Sequence, residues 1–408
     1  LDQTIAVPVY SSSKRNLLLK TSAIGITQII GWGATFQLPG VLGQSIAQSL
    51  DLSLTVILAG PTAMLVTLAI VAYALTSYFE RFGARPIMLG GTVIAAIGLV
   101  LLSLAQNQVT YFLAWIVLGV AGAGILTTSA QIAIAEFAGQ GAKQSIGMLA
   151  LFGGTSATIF WPTSEVLENH FGWRITTTIF ASLFVLVCLP LVNWALPRHQ
   201  SVTRSSPKAE QPVSATTLNR TDFALMAGAI AANGFITWGF SLTLIELFED
   251  KGLERTDAVA LASLLGIVGL AARTIDFVGG SRWTGLTTGV VASVVLPTSF
   301  LMLMGGSGRT IVIVFLLLYG LASGAMSVAR STIPLAVFPP GSFARASSRL
   351  ALPLNLSYAA APPTFSAILT RGNASSALVL ATVLSMIALF ALATLAIRHR
   401  DPGQPASR

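Results

Sequence analysis

Twelve times along its 408 residues this chain runs apolar for long enough to cross a lipid bilayer as a helix, and that repetition limits the fold more than any other feature. A hydrocarbon core takes roughly 20 residues of α-helix to cross. In that solvent every backbone N–H and C=O must be paired inside the protein, which leaves helices and closed barrels as the spanning structures. The stretches fall at 19–44, 54–78, 86–105, 110–134, 145–167, 174–196, 222–247, 257–275, 284–304, 310–331, 346–369 and 376–397. They are too long and too continuous to be the alternating strands of a barrel. The expected fold is an all-α integral membrane protein of twelve transmembrane helices, with the lipid bilayer as its surroundings.

Charge agrees with this reading. Only 9% of the residues are charged and 54% are hydrophobic, whereas soluble domains carry about 25% charge. So few charges could not cover the surface of a soluble chain. A cytosolic enzyme, a nucleic-acid-binding domain and a disordered chain are excluded, and nucleic acid is not an expected partner. Cys188 is the single cysteine, so no internal disulfide and no cysteine-built metal site is expected. His170, His199 and His399 are scattered, and no metal or other cofactor is expected. The polar start through Lys14 and Arg15 lacks a small-residue cleavage site, so the first apolar stretch reads as a retained span rather than a signal peptide.

The segment 197–221 is rich in Ser, Thr, Pro, Arg and Lys, the composition of a solvated linker. It divides the chain into a tail (1–18), a six-helix bundle (19–196), the linker (197–221), a second bundle (222–397) and a second tail (398–408). With the N-terminus placed in the cytoplasm, eighteen of the 23 Lys and Arg fall on the cytoplasmic side, while the acidic residues divide evenly. That bias is the positive-inside pattern. It predicts a multi-pass protein of a bacterial inner membrane with both termini cytoplasmic.

The two halves repeat. Trp32-Gly33 aligns with Trp238-Gly239, Glu80 with Asp276, Gly119 with Gly320, and Pro162 with Pro362. A parallel repeat about a central linker is one of the plans by which transporters hold a solute between two bundles. The loop after span 2, Glu80-Arg81-Phe82-Gly83-Ala84-Arg85, and the run Phe171-Gly172-Trp173-Arg174 carry a resemblance to the major facilitator superfamily. The loop departs from that family's signature at Glu80, at Ala84 and at Thr76. Span 5 has Gly153-Gly154 without the proline of the antiporter signature. The segments 26–33, 158–162 and 329–338 are similar to a bacterial subgroup of exporters, some linked to efflux of trivalent arsenicals. The resemblance implies two pseudo-symmetric six-helix bundles, alternating access, and a central path lined by spans 1, 4, 7 and 10.

Gln28, Trp32 and Phe36 lie at i, i+4 and i+8 and share one face of span 1. Asn233 and Thr237 repeat the spacing in span 7, with Trp238 one step round. Span 4 offers Gln131, span 10 offers Tyr319 and Ser323, and Arg330 ends the span 10 stripe. These ten are the expected cavity residues. For the small ones the competing reading is close helix packing. For Arg330 it is a side chain snorkelling to the interface. The resemblance assigns Glu80, Arg81 and Arg85 to a gate, with Asp276 and Arg273 as their counterparts. Glu136, Glu165 and Glu246 are the candidate proton carriers. Intramembrane ionisable groups are few, and each is a functional candidate.

Three functions compete. The leading one is a secondary transporter of a small solute, an exporter whose cavity reads as mostly neutral and aromatic, with proton coupling open. The alternative within transport is an organic-anion carrier using Arg330, with Arg349 or Arg273 as a further anion holder. The third is a membrane sensor or partner-binding protein that has lost transport. An enzyme needs a convergent catalytic or metal cluster, and the sequence shows none.

Overall fold

The computed structural model describes residues 14–197, 218–280, 282–371 and 374–399. The outer parts of both expected tails and most of the expected linker lie outside them, as does the side chain of Glu246.

Twelve spans cross in sequence. Span 1 is α1 (Lys14–Gly33) and α2 (Pro39–Leu50), span 2 is α3 (Leu54–Ala74) and α4 (Thr76–Phe82), and span 3 is α5 (Ala84–Ser103). Span 4 is α6 (Gln108–Ile125) and α7 (Thr127–Ala138). Span 5 is α8 (Ala142–Gly154) and the first part of α9 (Ser156–Leu183), and span 6 is the rest of α9 with α10 (Leu189–Ala195). The second half is simpler: α11 (Arg220–Asp250), α12 (Arg255–Gly279), α13 (Gly285–Gly305), α14 (Arg309–Val337), α15 (Phe343–Arg371) and α16 (Ala374–Arg398) are spans 7 to 12.

Among the described residues, nine helical segments pass a length and hydropathy test for membrane crossing, and one of them, Ala142–Ala195, holds spans 5 and 6. That run turns at Gly172, whose φ of 76° suits glycine. Spans 1 and 11 fail the test for physical reasons. Span 1 opens on Lys14 and Arg15 and breaks between Gly33 and Pro39, where the sequence suggests one continuous helix. Span 11 carries Pro353, Pro362 and Pro363 and a polar face. Both line the space between the bundles, where apolar sequence is not needed.

Each bundle has its own apolar core. Trp115, Tyr111 and Phe180 are fully buried in the first, and Phe240, Phe300, Phe315 and Tyr319 in the second. Val93, Ile97, Leu113 and Ile116, with Val278, Val291, Ile387 and Phe390, form an exposed apolar girdle that faces lipid. The bundles meet through spans 2 and 11 and through span 5 against spans 8 and 10.

Close helix crossings depend on glycine, as in other membrane bundles. A Cβ at Gly324 of span 10 would lie 2.5 Å from the carbonyl oxygen and 2.8 Å from Cα of Gly269 in span 8, and backbone cannot yield locally. Gly324→Ala is therefore expected to destabilise the protein by about 1–3 kcal/mol. Gly228→Ala, with nothing within 4 Å, should leave thermal unfolding in detergent unchanged. Equal melting of the two variants would contradict the packing account.

Candidate functional site: a cavity between the bundles

A cavity of about 250 Å³ lies between the two bundles. Its first wall follows from a break in span 4. Leu126 has ψ −166°, so the helix is interrupted there and the Ile125 carbonyl loses its place in the ladder. Gln28 Nε2 donates to that carbonyl at 2.9 Å, and Trp32 Nε1 donates to Thr127 Oγ1 at 3.0 Å. The polar face of span 1 is thereby fixed to span 4.

A chain of rings crosses from one bundle to the other. Trp32 meets Phe36 edge-on at 5.9 Å, Phe36 meets Trp238 of span 7 at 4.8 Å, and Trp238 stacks on Tyr358 of span 11 at 4.5 Å. The Arg330 guanidinium stands 5.7 Å from the centre of the Tyr358 ring, a cation–π contact. Arg273 of span 8 also lines the cavity, with its Nε donating to Ser327 Oγ at 2.9 Å. The two guanidinium charges repel each other across it. Among the described lining residues none is Asp or Glu.

One end of the cavity is tied shut between the bundles. Arg345 of span 11 donates through Nε and Nη2 to the two Glu80 oxygens at 2.5 and 3.0 Å, a bidentate pair. The Thr76 and Ser348 hydroxyls meet at 3.0 Å, and Ser348 donates to the Ala72 carbonyl. Lys143, in the first turn of α8, donates to the carbonyls of Gly280 and Trp283 at 2.6 and 2.5 Å, where α12 ends. A cation there also meets the negative end of the helix dipole. Closer to the cavity, Gln131 Nε2 donates to Ser331 Oγ at 2.7 Å.

The structure brings together Gln28, Trp32, Phe36, Gln131, Trp238 and Arg330 of the expected cavity set. Four others do not line it. Asn233 is buried and donates to the Ala229 carbonyl of its own helix, and Thr237 donates to the Asn233 carbonyl. Tyr319 stacks on Phe315 in the second bundle's core, and Ser323 donates to the Gly320 carbonyl. Span 7 turns Trp238 inward and its 233/237 stripe away, while span 10 reaches the cavity a turn or more later, through Ser327, Arg330 and Ser331.

The gate set divides in the same way. Arg273 stands in the cavity wall. Arg81 lies over the Phe82 ring, and Arg85 donates to Asn193 within its own bundle. Asp276 accepts from Trp283 Nε1 and Thr288 Oγ1 within its own half, and its charge also acts on Lys143 of the first bundle, so the counterpart of Glu80 stands at the closed end. Of the carboxylates, Glu136 accepts the Ala84 N–H at the start of α5 and so caps that helix. Glu165 is exposed outside the cavity. Arg345, Lys143 and Tyr358 are the additions. The spacing of Ser347, Asn355 and Tyr358 along one face of span 11 is the signal that locates its cavity side.

Two six-helix bundles enclosing a polar cavity and tied together at one end define a multi-pass membrane carrier. The chain belongs to the Major Facilitator Superfamily, whose family model matches residues 23–304. Members of that family are transporters rather than enzymes. It is 25% identical over 276 residues to the Fujikurins efflux protein of Gibberella fujikuroi, covering 64% of this chain and 56% of that one. It is 25% identical over 284 residues to monocarboxylate transporter 4 of Rattus norvegicus, covering 65% of this chain and 59% of that one. The match thus spans less than two thirds of either relative. The crystal structure of the E. coli fucose:proton symporter FucP shares the fold with a TM-score of 0.72 at 13% identity, covering 93% of this chain and 99% of that one.

Proposed function

We propose that this transporter carries a small organic anion, a carboxylate, by alternating access between the two bundles. One observation carries the reading: two guanidinium groups line a small cavity whose described walls hold no carboxylate. Uncompensated charge in a low-dielectric site is costly, and a bound carboxylate supplies the missing counter-charge with bidentate geometry. A cavity of about 250 Å³ suits a small solute, since drug-sized ligands occupy roughly 300–1,000 Å³. The name of the rat relative, a monocarboxylate transporter, supports the same cargo class. We place the protein in a bacterial inner membrane with both termini cytoplasmic, following its Lys and Arg bias, so that the end closed by Glu80 and Lys143 faces the cytoplasm.

The aromatic wall favours a second reading, efflux of a weakly charged amphipathic solute, and the name of the Gibberella efflux protein supports that direction. Cells overexpressing or lacking the protein separate the two when exposed to small carboxylic acids, cationic drugs and metalloids. The anion reading expects altered accumulation of the carboxylates alone. A response confined to uncharged or cationic compounds would sink it.

A further inference from the structure

We infer that Gly154 is a positioning residue for the anion site: it is the seat on the first bundle that receives Arg273 of the second, so the two-guanidinium site is complete only while spans 5 and 8 are docked. The inference rests on the anion reading above.

Arg273 is held from its own bundle by Ser327, which accepts from Nε, while Nη1 faces the first bundle. Nη1 lies on Gly154, the last residue of α8, so closely that a methyl group there would overlap it. The neighbouring Gly153 has open space at the same position, so the contact belongs to Gly154 alone. Backbone conformation does not explain this glycine, because Gly154 is not among the residues with positive φ. What it supplies is room for a guanidinium.

The consequence is a link between binding and gating. Lys143 and Gly154 stand at the two ends of α8, about 16 Å apart at 1.5 Å per residue. Opening the end that Lys143 closes moves α8 away from α12 and takes the seat from Arg273. The anion then loses one of its two holders as the path to that side opens, and release accompanies unlatching.

The test compares Gly154→Ala with Gly147→Ala in protein reconstituted into liposomes, with L-lactate and benzoate as probes. Gly147 is on the same helix and faces the same bundle, but a Cβ there meets Val328 at 3.8 Å, an ordinary contact. The overlapping atom at Gly154 is the tip of a flexible side chain, so the fold survives and the guanidinium shifts. Gly154→Ala is expected to raise KM by about tenfold or more, with the maximal rate nearly unchanged. Gly147→Ala should behave as wild type, and Gly154→Ala should add nothing in an Arg273→Gln background. The seat is also read without a transported solute: peptide mapping of phenylglyoxal modification should show Arg273 reacting faster in Gly154→Ala. If Arg273→Gln abolishes uptake while Gly154→Ala keeps wild-type KM and wild-type modification, the seat is overturned and the anion reading stands. If wild-type protein moves neither probe, the anion reading falls, and the modification rate alone decides whether Gly154 seats Arg273.

Discussion

Arg330→Gln is expected to cut the affinity for a transported carboxylate by at least about 30-fold, the equivalent of about 2 kcal/mol or more for removing one partner of a desolvated, hydrogen-bonded charge pair. Glutamine keeps hydrogen-bonding capacity but not charge, and the cavity walls offer no other cation besides Arg273 among the described lining residues. Arg330→Lys should recover only part of the loss, because an ammonium cannot present the planar fork that matches a carboxylate. The variant should still fold, since Arg330 is only half-buried and lines the cavity. Initial-rate uptake over a range of substrate concentrations reads the effect. Unchanged KM and unchanged maximal rate in Arg330→Gln would remove this residue from the site.

The second large effect concerns the closed end. The Glu80–Arg345 pair is partly exposed, with side-chain exposures of 30% and 26%, so it contributes about 1 kcal/mol at most. Lys143 makes two charge-assisted hydrogen bonds across the bundles, of a kind worth about 1.5–3 kcal/mol each. Lys143→Met should therefore shift the balance between closed and open states more than Glu80→Gln does. Combining the two should shift it by at least about two orders of magnitude, since 1.4 kcal/mol is a factor of ten. A cysteine at Ser347, buried in the cavity wall beside the latch, reports the opening when Cys188 is replaced by Ser. A charged thiol reagent applied from the latched side should label it slowly in otherwise wild-type protein and much faster in the double variant. Equal rates would show that these contacts do not hold the end shut.

Much of this was legible in the residues, and what was not has identifiable causes. Spans are visible because lipid demands about 20 apolar residues in a row, and span 1 lost only its break at Gly33–Pro39. The i, i+4, i+8 spacing located Gln28, Trp32 and Phe36 because period alone decides which residues share a face. The same logic misplaced Tyr319: period shows that Tyr319 and Ser323 point together, not whether that side meets the cavity or the bundle's own core. Arg345 was hidden among many basic residues at helix ends, and its partner Glu80 lies 265 positions away, so only the docking of two bundles selects it. The sequence offers Arg273 two places, in the gate or as an anion holder. The structure separates the two: Asp276 stays at the closed end near Lys143, while Arg273, bonded to Ser327, lines the cavity.

The central claim is that the cavity selects negative charge. Uptake of benzoate and of benzamide by the same proteoliposomes tests it most directly, because the two differ little in shape and differ in charge. The account predicts saturable uptake of benzoate, competed by L-lactate, with benzamide entering no faster than in protein-free liposomes. Saturable benzamide uptake equal to that of benzoate would contradict it.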